Sequence, residues 1–144
     1  MKNKEIVWYT TWVFDLFHVW HVNILKRAKS MCDRLIVGVT VDDLVEYKWK
    51  RSVIPFEERI QVVEACKYVD SVVPQDTMDK MDAFNRYKFD IMFVWDDWYK
   101  TDKWTNFEKN LEGVWVKIVY FPYTKWTSST LINETLNNLR NENN

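Results

Sequence analysis

Residues 13–21 read VFDLFHVWH, and this stretch decides which fold the chain is expected to adopt. The apolar run that precedes it, residues 5–10, is typical of a β-strand. Residues 22–29 follow it with apolar side chains at positions 22, 25 and 28, which is the period of a helix. Two histidines, His18 and His21, are therefore predicted to lie where a strand passes into a helix.

The opening turn of a helix favours phosphate, because its backbone N–H groups lack partners and carry a partial positive charge. Two imidazoles there would add donors for charge that develops on phosphate oxygens. There are two other interpretations: the histidines form a metal site, or they are ordinary core or surface residues whose spacing has no functional meaning. Helical metal pairs favour a spacing of four with further ligands nearby, whereas this chain has only these two histidines and two isolated cysteines, Cys32 and Cys66. The pattern favours phosphate chemistry.

Length and charge narrow the class of protein. The 144 residues predict one domain, residues 1–136, followed by a polar tail, residues 137–144. The net charge of -1 gives no bulk attraction to a nucleic acid polymer or a membrane surface, and no apolar run approaches the ~18 residues of a membrane span. Without a signal-peptide pattern, and with two cysteines outside any motif, we expect a cytoplasmic location.

Strand patterns and helix patterns alternate along the rest of the chain. Further strands are predicted at residues 34–41, 71–74, 91–94 and 116–121, and further helices at 56–68, 79–87 and 131–139. Pro74 is expected to end the third strand. This alternation predicts an α/β fold: a Rossmann-like parallel sheet of about five strands, with helices on both faces, in a single domain.

Polar residues follow several of the predicted strands, and carboxyl ends of parallel strands form the edge where such sheets bind ligands. The histidines follow the first strand, Lys48 and Lys50 the second, Asp96 and Asp97 the fourth, and residues 127–130 the fifth. Lysines in a loop are as often simply solvated, serines and threonines at a helix start are often N-caps, and the two aspartates suit either a metal or base recognition. Because all these residues are expected at the same edge of the sheet, we nevertheless predict that they form one ligand-binding site.

These motifs, in this order, resemble the nucleotidyltransferase superfamily with the signature H-x-G-H. Phe14 and Asp15 precede the histidines as in that family, and residues 48–50 resemble its lysine-bearing loop. Three later segments also resemble motifs of that family. They are the predicted helix at residues 56–68, Asp-Asp-Trp at residues 96–98, and the threonine- and serine-rich residues 124–130. The similarity covers about residues 5–136 and is greatest to the glycerol-3-phosphate cytidylyltransferases.

The resemblance implies transfer of CMP from CTP to a small phosphorylated alcohol, glycerol 3-phosphate, giving CDP-glycerol and pyrophosphate. It implies a homodimer and Mg²⁺ bound through the nucleotide phosphates, with no metal site on the protein. The alternatives are a same-fold adenylyl- or cytidylyltransferase for another phosphorylated acceptor, and a catalytically impaired nucleotide-binding variant.

The resemblance also assigns roles to residues. The implied catalytic residues are His18, His21, Lys48 and Lys50. The implied nucleotide-binding residues are Val13, Phe14, Asp15, Trp20, Arg59, Lys67, Asp96, Asp97, Thr124, Thr127, Ser128, Ser129 and Thr130. For Asp15, capping of the following helix is favoured over binding Mg²⁺ through water. Arg59 and Lys67 are expected on one helix face, which suits phosphate binding and plain solvation equally.

The tryptophans depart from the family pattern. The chain has 2 glycines and 9 tryptophans, whereas glycine is usually ~7% of residues. Trp12, Trp20, Trp95 and Trp126 stand where the family has glycine, and Trp115 is expected at a turn position that suits glycine. We expect the Trp20 indole to crowd the histidines and to abolish most nucleotide binding and turnover. The hypothesis is that the chain derives from an active cytidylyltransferase whose glycines were replaced.

Overall fold

The computed structural model describes residues 5–47, 52–95, 102–121, 138, 139 and 141. Strands and helices alternate within these ranges. In chain order they are β1 (Val7–Trp12), α1 (Val19–Ser30), β2 (Arg34–Thr40), α2 (Asp42–Tyr47), α3 (Phe56–Glu64), β3 (Ser71–Gln75), α4 (Lys80–Tyr87), β4 (Ile91–Trp95), α5 (Asp102–Glu112) and β5 (Lys117–Phe121).

The five strands form one parallel sheet in the order β3-β2-β1-β4-β5. The predicted Rossmann-like α/β fold is therefore confirmed. The chain builds outward from β1 in one direction through β2 and β3, and then returns to the other side of β1 with β4. This reversal lies beside the carboxyl end of β1, which is where sheets of this kind bind ligands.

Side chains of the central strands alternate between two apolar clusters, one on each face of the sheet. From β2, Leu35 and Val37 enter a cluster with residues of α1 and α3, whereas Ile36 enters a cluster with residues of α4 and α5. Both faces of β2 are thus buried, as its unbroken apolar sequence predicted. The predicted placement of helices on both faces is also confirmed.

Several boundaries differ from the sequence prediction. The helix expected to reach residue 68 ends at Glu64. The strand expected to stop at Pro74 continues to Gln75, because β3 is the edge strand of the described sheet, where a missing N–H costs least. Helices α2 and α5 were not predicted, and the helix expected at residues 131–139 lies largely outside the described residues.

Aspartates close the amino edge of the sheet. Asp33, directly before β2, donates its backbone N–H to the Ile6 carbonyl at 2.9 Å, and its carboxylate accepts the Ile6 N–H at 2.7 Å. The same pair of hydrogen bonds, one from the aspartate N–H and one to its carboxylate, joins Asp70 to Leu35 and Asp90 to Val7. Because these aspartates satisfy backbone groups that would otherwise lack partners, they hold neighbouring strand starts in register.

Trp115 occupies a left-handed backbone position just after α5, with a φ of 65°. The Val116 N–H donates to the Leu111 carbonyl at 3.0 Å, which is the long bond of a Schellman motif with Trp115 at its glycine position. The prediction that Trp115 stands at a turn position suited to glycine is confirmed. Its indole is 92% exposed, so the ring adds little packing to offset the strain.

We expect Trp115→Gly to raise the free energy of unfolding by about 1 kcal/mol, because glycine carries no Cβ to clash in the left-handed conformation. Urea titration followed by circular dichroism measures this. Trp115→Ala is the matched control: it removes the indole but keeps the Cβ, so it should give little gain. Equal stability of the two variants would contradict a backbone origin.

Candidate active site

The turn between β1 and α1 is strained and carries the histidines. Phe14 and Leu16, on either side of Asp15, have φ angles of 55° and 51°. Such angles are costly for residues with a Cβ and persist only where surrounding contacts enforce them. Here Phe14 is buried in the core at 3% exposure, and the Val13 carbonyl accepts a hydrogen bond from Arg59 Nη1 at 2.6 Å.

Two hydrogen bonds orient the histidines at the start of α1, where His18 is the N-cap. The His18 backbone N–H donates to Nδ1 of His21 at 3.1 Å. Nδ1 of His18 lies 2.8 Å from the Leu16 carbonyl, to which it can only donate. These contacts assign the tautomers: His21 carries its proton on Nε2, whereas neutral His18 carries its proton on Nδ1.

His21 is kept neutral by its surroundings. The side chain is 1% exposed, and burial, with a smaller effect from nearby His18, lowers the pKa of His21 to about 3. At neutral pH it is therefore an uncharged imidazole whose Nε2–H is a donor. The first turn of α1 contains no acidic residue that would repel phosphate.

Because the folded state resists protonation of His21, acid should destabilise the fold. An unfolded histidine titrates near 6.5 and folded His21 near 3, so stability is full above about pH 6.5 and falls as the pH falls towards 3. This one site predicts a loss of about 2 kcal/mol between pH 7.5 and pH 5.

Urea titrations at those two pH values measure the loss. His21→Asn, which keeps an acceptor for the His18 N–H, should lose clearly less than the unsubstituted protein. His18→Gln should keep most of the pH dependence. An unchanged pH dependence in His21→Asn would contradict the assignment of this loss to His21.

Trp20 packs against the histidines, as predicted. The centroid of its ring system lies 5.3 Å from that of His21 and 6.3 Å from that of His18, and Trp12 meets it edge-on at 6.3 Å. Trp12 and Trp20 also pack against the core cluster on this face of the sheet. An indole therefore occupies space beside both imidazoles.

Asp15 does not cap α1, contrary to the prediction, because the N-cap is His18. Its buried carboxylate instead accepts the backbone N–H groups of Val53 at 2.8 Å and Ile54 at 3.0 Å. These residues lie between α2 and α3, so Asp15 joins the histidine turn to a different loop. Direct binding of nucleotide by Asp15 remains only a prediction.

Arg59 is buried rather than solvated, which corrects one of the two expectations, and phosphate binding by Arg59 stays a prediction. Its side chain is 0% exposed, and its donors are taken up inside the protein. Nη1 donates to the Val13 carbonyl at 2.6 Å and the Thr40 carbonyl at 2.8 Å, and Nη2 donates to Asp42 at 2.5 Å. Arg59 thus joins the carboxyl ends of β1 and β2.

Asp42 is a site-forming residue that the sequence analysis missed. Burial tends to raise the pKa of its carboxyl, but hydrogen bonds from the Phe56 N–H, Arg59 and Ser52 lower the pKa overall. The adjacent acidic pair, Asp42 and Asp43, directly after an apolar strand was the available signal, since acidic residues favour the first turn of a helix.

Lys67 does not share a helix face with Arg59, contrary to the prediction, and its binding of nucleotide stays a prediction. Helix α3 ends at Glu64, so Lys67 lies in the turn before β3 rather than on a helix face shared with Arg59. The turn precedes the amino end of β3, which is the edge opposite the histidines. Lys67 is exposed, with Nζ 5.2 Å from the centroid of the Tyr68 ring.

The remaining predicted site residues lie outside the described residues and stay predictions: Lys48, Lys50, Asp96, Asp97, Thr124, Thr127, Ser128, Ser129 and Thr130. Within the described ranges, no group of three or more histidine, cysteine, aspartate or glutamate side chains could hold a metal ion. None of the helices described is long and apolar enough to cross a membrane.

Comparison with known proteins places this chain in a family. A family model described as Cytidylyltransferase-like matches residues 10–135. The glycerol-3-phosphate cytidylyltransferase of Bacillus subtilis (strain 168) is 31% identical over 135 residues, 92% of this chain and 97% of that protein. A Thermococcus kodakarensis relative named FAD synthase is 31% identical over 125 residues, 85% of this chain and 83% of the relative.

A solved structure supports the fold. The lipopolysaccharide core biosynthesis protein from Thermoplasma volcanium GSS1 matches with a TM-score of 0.72 at 23% identity, covering 86% of this chain and 100% of that one. Fold and site together define an α/β enzyme that transfers a nucleotide. The chain belongs to the cytidylyltransferase-like family and is a CTP-dependent nucleotidyltransferase.

Proposed function

We propose that the chain transfers CMP from CTP to glycerol 3-phosphate, giving CDP-glycerol and pyrophosphate. The observation that carries the proposal is the placement of both imidazoles at the opening of α1, where the His18 N–H donates to His21 Nδ1 and His18 Nδ1 donates to the Leu16 carbonyl. The choice of acceptor is supported by the Bacillus subtilis relative, which is matched over nearly its whole length.

In this reaction a phosphate oxygen of the acceptor attacks the α-phosphorus of CTP. A new P–O bond forms, the bond from that phosphorus to the bridging oxygen breaks, and pyrophosphate leaves with the electron pair. Such a transfer depends on positioning and charge stabilisation rather than on covalent catalysis.

The chain's own residues supply donors that are already oriented. His21 offers Nε2–H because its Nδ1 is occupied by the His18 N–H. His18 is oriented by its Nδ1, which donates to the Leu16 carbonyl at 2.8 Å. The opening turn of α1 adds a partial positive charge. Together these groups would stabilise negative charge on the triphosphate as the bridging bond breaks.

The site is compatible with Mg²⁺ held mainly by the nucleotide. Asp15 accepts two backbone N–H groups, and no cluster of three potential protein ligands occurs among the described residues. Mg²⁺ commonly binds through substrate phosphates with few protein ligands. When bound with CTP it would neutralise part of the triphosphate charge.

A pyrophosphate-release assay tests the proposal. CTP and ATP are each combined with glycerol 3-phosphate and with other phosphorylated alcohols, in the presence of Mg²⁺. We expect release with CTP and glycerol 3-phosphate above every other pair, and a fall of at least a hundredfold in His18→Gln, which lacks the imidazole. Absence of release with any pair would refute the proposal for this chain, and release with ATP alone would favour an adenylyltransferase.

The second candidate is a nucleotide-binding protein with impaired catalysis. It is favoured by the Trp20 indole, whose ring centroid lies 5.3 Å from that of His21. Calorimetry with CTP separates the candidates, because binding without pyrophosphate release would favour the impaired protein. We further propose that the chain is a cytoplasmic homodimer, which light scattering tests for the assembly and cell fractionation for the location.

A further inference from the structure

Segment 52–56 is bound by side chains that come from other parts of the site. The segment follows Lys48, Lys50 and Arg51 in the chain and leads into α3. Asp15, in the turn before α1, accepts hydrogen bonds from two consecutive backbone N–H groups of the segment, those of Val53 at 2.8 Å and Ile54 at 3.0 Å.

A second carboxylate and a guanidinium bind the same segment. Asp42, in the first turn of α2, accepts the Phe56 N–H and the Ser52 hydroxyl, each at 3.1 Å. Arg59 Nε donates to the Ile54 carbonyl at 2.8 Å. Each residue of the segment other than proline is therefore bound, through its backbone or its side chain.

Asp15 is placed to connect this segment with the catalytic histidines. It lies three positions before His18, between the two left-handed residues of the turn. The residue is 7% exposed, and its carboxylate accepts two backbone N–H groups of the segment. Arg59 also donates to the Val13 carbonyl of this turn. The turn and the segment are therefore joined twice, once through Asp15 and once through Arg59.

We infer that Asp15 is a positioning residue for nucleotide transfer: its carboxylate holds segment 52–56 against the turn that carries His18. In sequence the segment follows closely after the two lysines predicted to bind phosphate, and this is the route by which we expect loss of the Asp15 carboxylate to affect catalysis. The consequence for catalysis rests on the proposed function, whereas the restraint on the chain does not.

Native-state digestion with trypsin tests the restraint directly, because trypsin cleaves after Lys48, Lys50 and Arg51. We expect Asp15→Asn to accelerate cleavage at these sites about tenfold, measured by mass spectrometry of the early products. In the same variant kcat/KM for CTP should fall at least tenfold.

Asp33→Asn is the matched control, because Asp33 also accepts a backbone N–H, that of Ile6 at 2.7 Å, but at the opposite edge of the sheet. It should lower the urea midpoint without changing cleavage after residues 48–51 or kcat/KM. If Asp15→Asn does not fold, Asp42→Asn, which loosens the segment from its other side, takes its place in the digestion.

Unchanged cleavage in the folded variant overturns the inference, and so does an equal acceleration in Asp33→Asn. Faster cleavage restricted to the Asp15 or Asp42 variant supports it. An unsubstituted protein without turnover would contradict the proposed function, yet the digestion would still decide the role of Asp15.

Discussion

Trp20→Gly should raise kcat/KM for CTP about a hundredfold. The indole lies beside both imidazoles, with ring centroids 5.3 Å and 6.3 Å away, in the space that a triphosphate would need under the proposed function. Moving a tryptophan of ~150–250 Å² out of an apolar contact costs several kcal/mol, and about 2.7 kcal/mol already corresponds to a factor of one hundred. Glycine removes that cost.

The measurement is pyrophosphate release at subsaturating CTP. Helix α1 should remain docked in the variant, because Ile24, Leu25 and Ala28 still pack in the core. Trp115→Gly is the matched control, since it makes the same substitution at an exposed turn away from the histidines, and its turnover should be unchanged. If both variants turn over as slowly as the unsubstituted chain, the indole is not what obstructs the nucleotide.

Arg59→Ala is expected to lower the free energy of unfolding by about 4 kcal/mol, a large part of the ~5–15 kcal/mol typical of a domain. The substitution removes the donors to the carbonyls of Val13, Thr40 and Ile54. Thr40 is itself 1% exposed, so water cannot readily replace the lost donor.

Urea unfolding measures the effect, and Arg86→Ala provides the comparison. Arg86 pairs with Asp76 and Asp82 on the surface, with its own side chain 44% exposed, so its loss should cost less than about 1 kcal/mol. Arg59→Lys should recover little stability, because an ammonium lacks the planar fork that reaches several acceptors at once. A loss in Arg59→Ala no larger than in Arg86→Ala would contradict the structural role.

Local patterns predicted the strands well and the helix ends less well. Residues 34–41 formed a recognisable buried strand because both faces of β2 are covered. The helix predicted at residues 56–68 is longer than α3 because Cys66 and Tyr68 pack against the core from the turn after α3. Their apolar character continues the pattern although the helix has ended.

The sequence by itself determined the alternation of strands and helices, and with it the junction where two histidines begin a helix. Periodicity records which side chains are buried, and burial along one strand or helix is a local property. Only the tertiary structure decided what Asp15 and Arg59 do, because Asp15 and Val53 are 38 positions apart in the chain and Arg59 and Val13 are 46 apart. Hydrogen bonds over such separations leave no periodic trace, so a charged residue that could bind phosphate and one that holds two loops together look alike until the chain is folded.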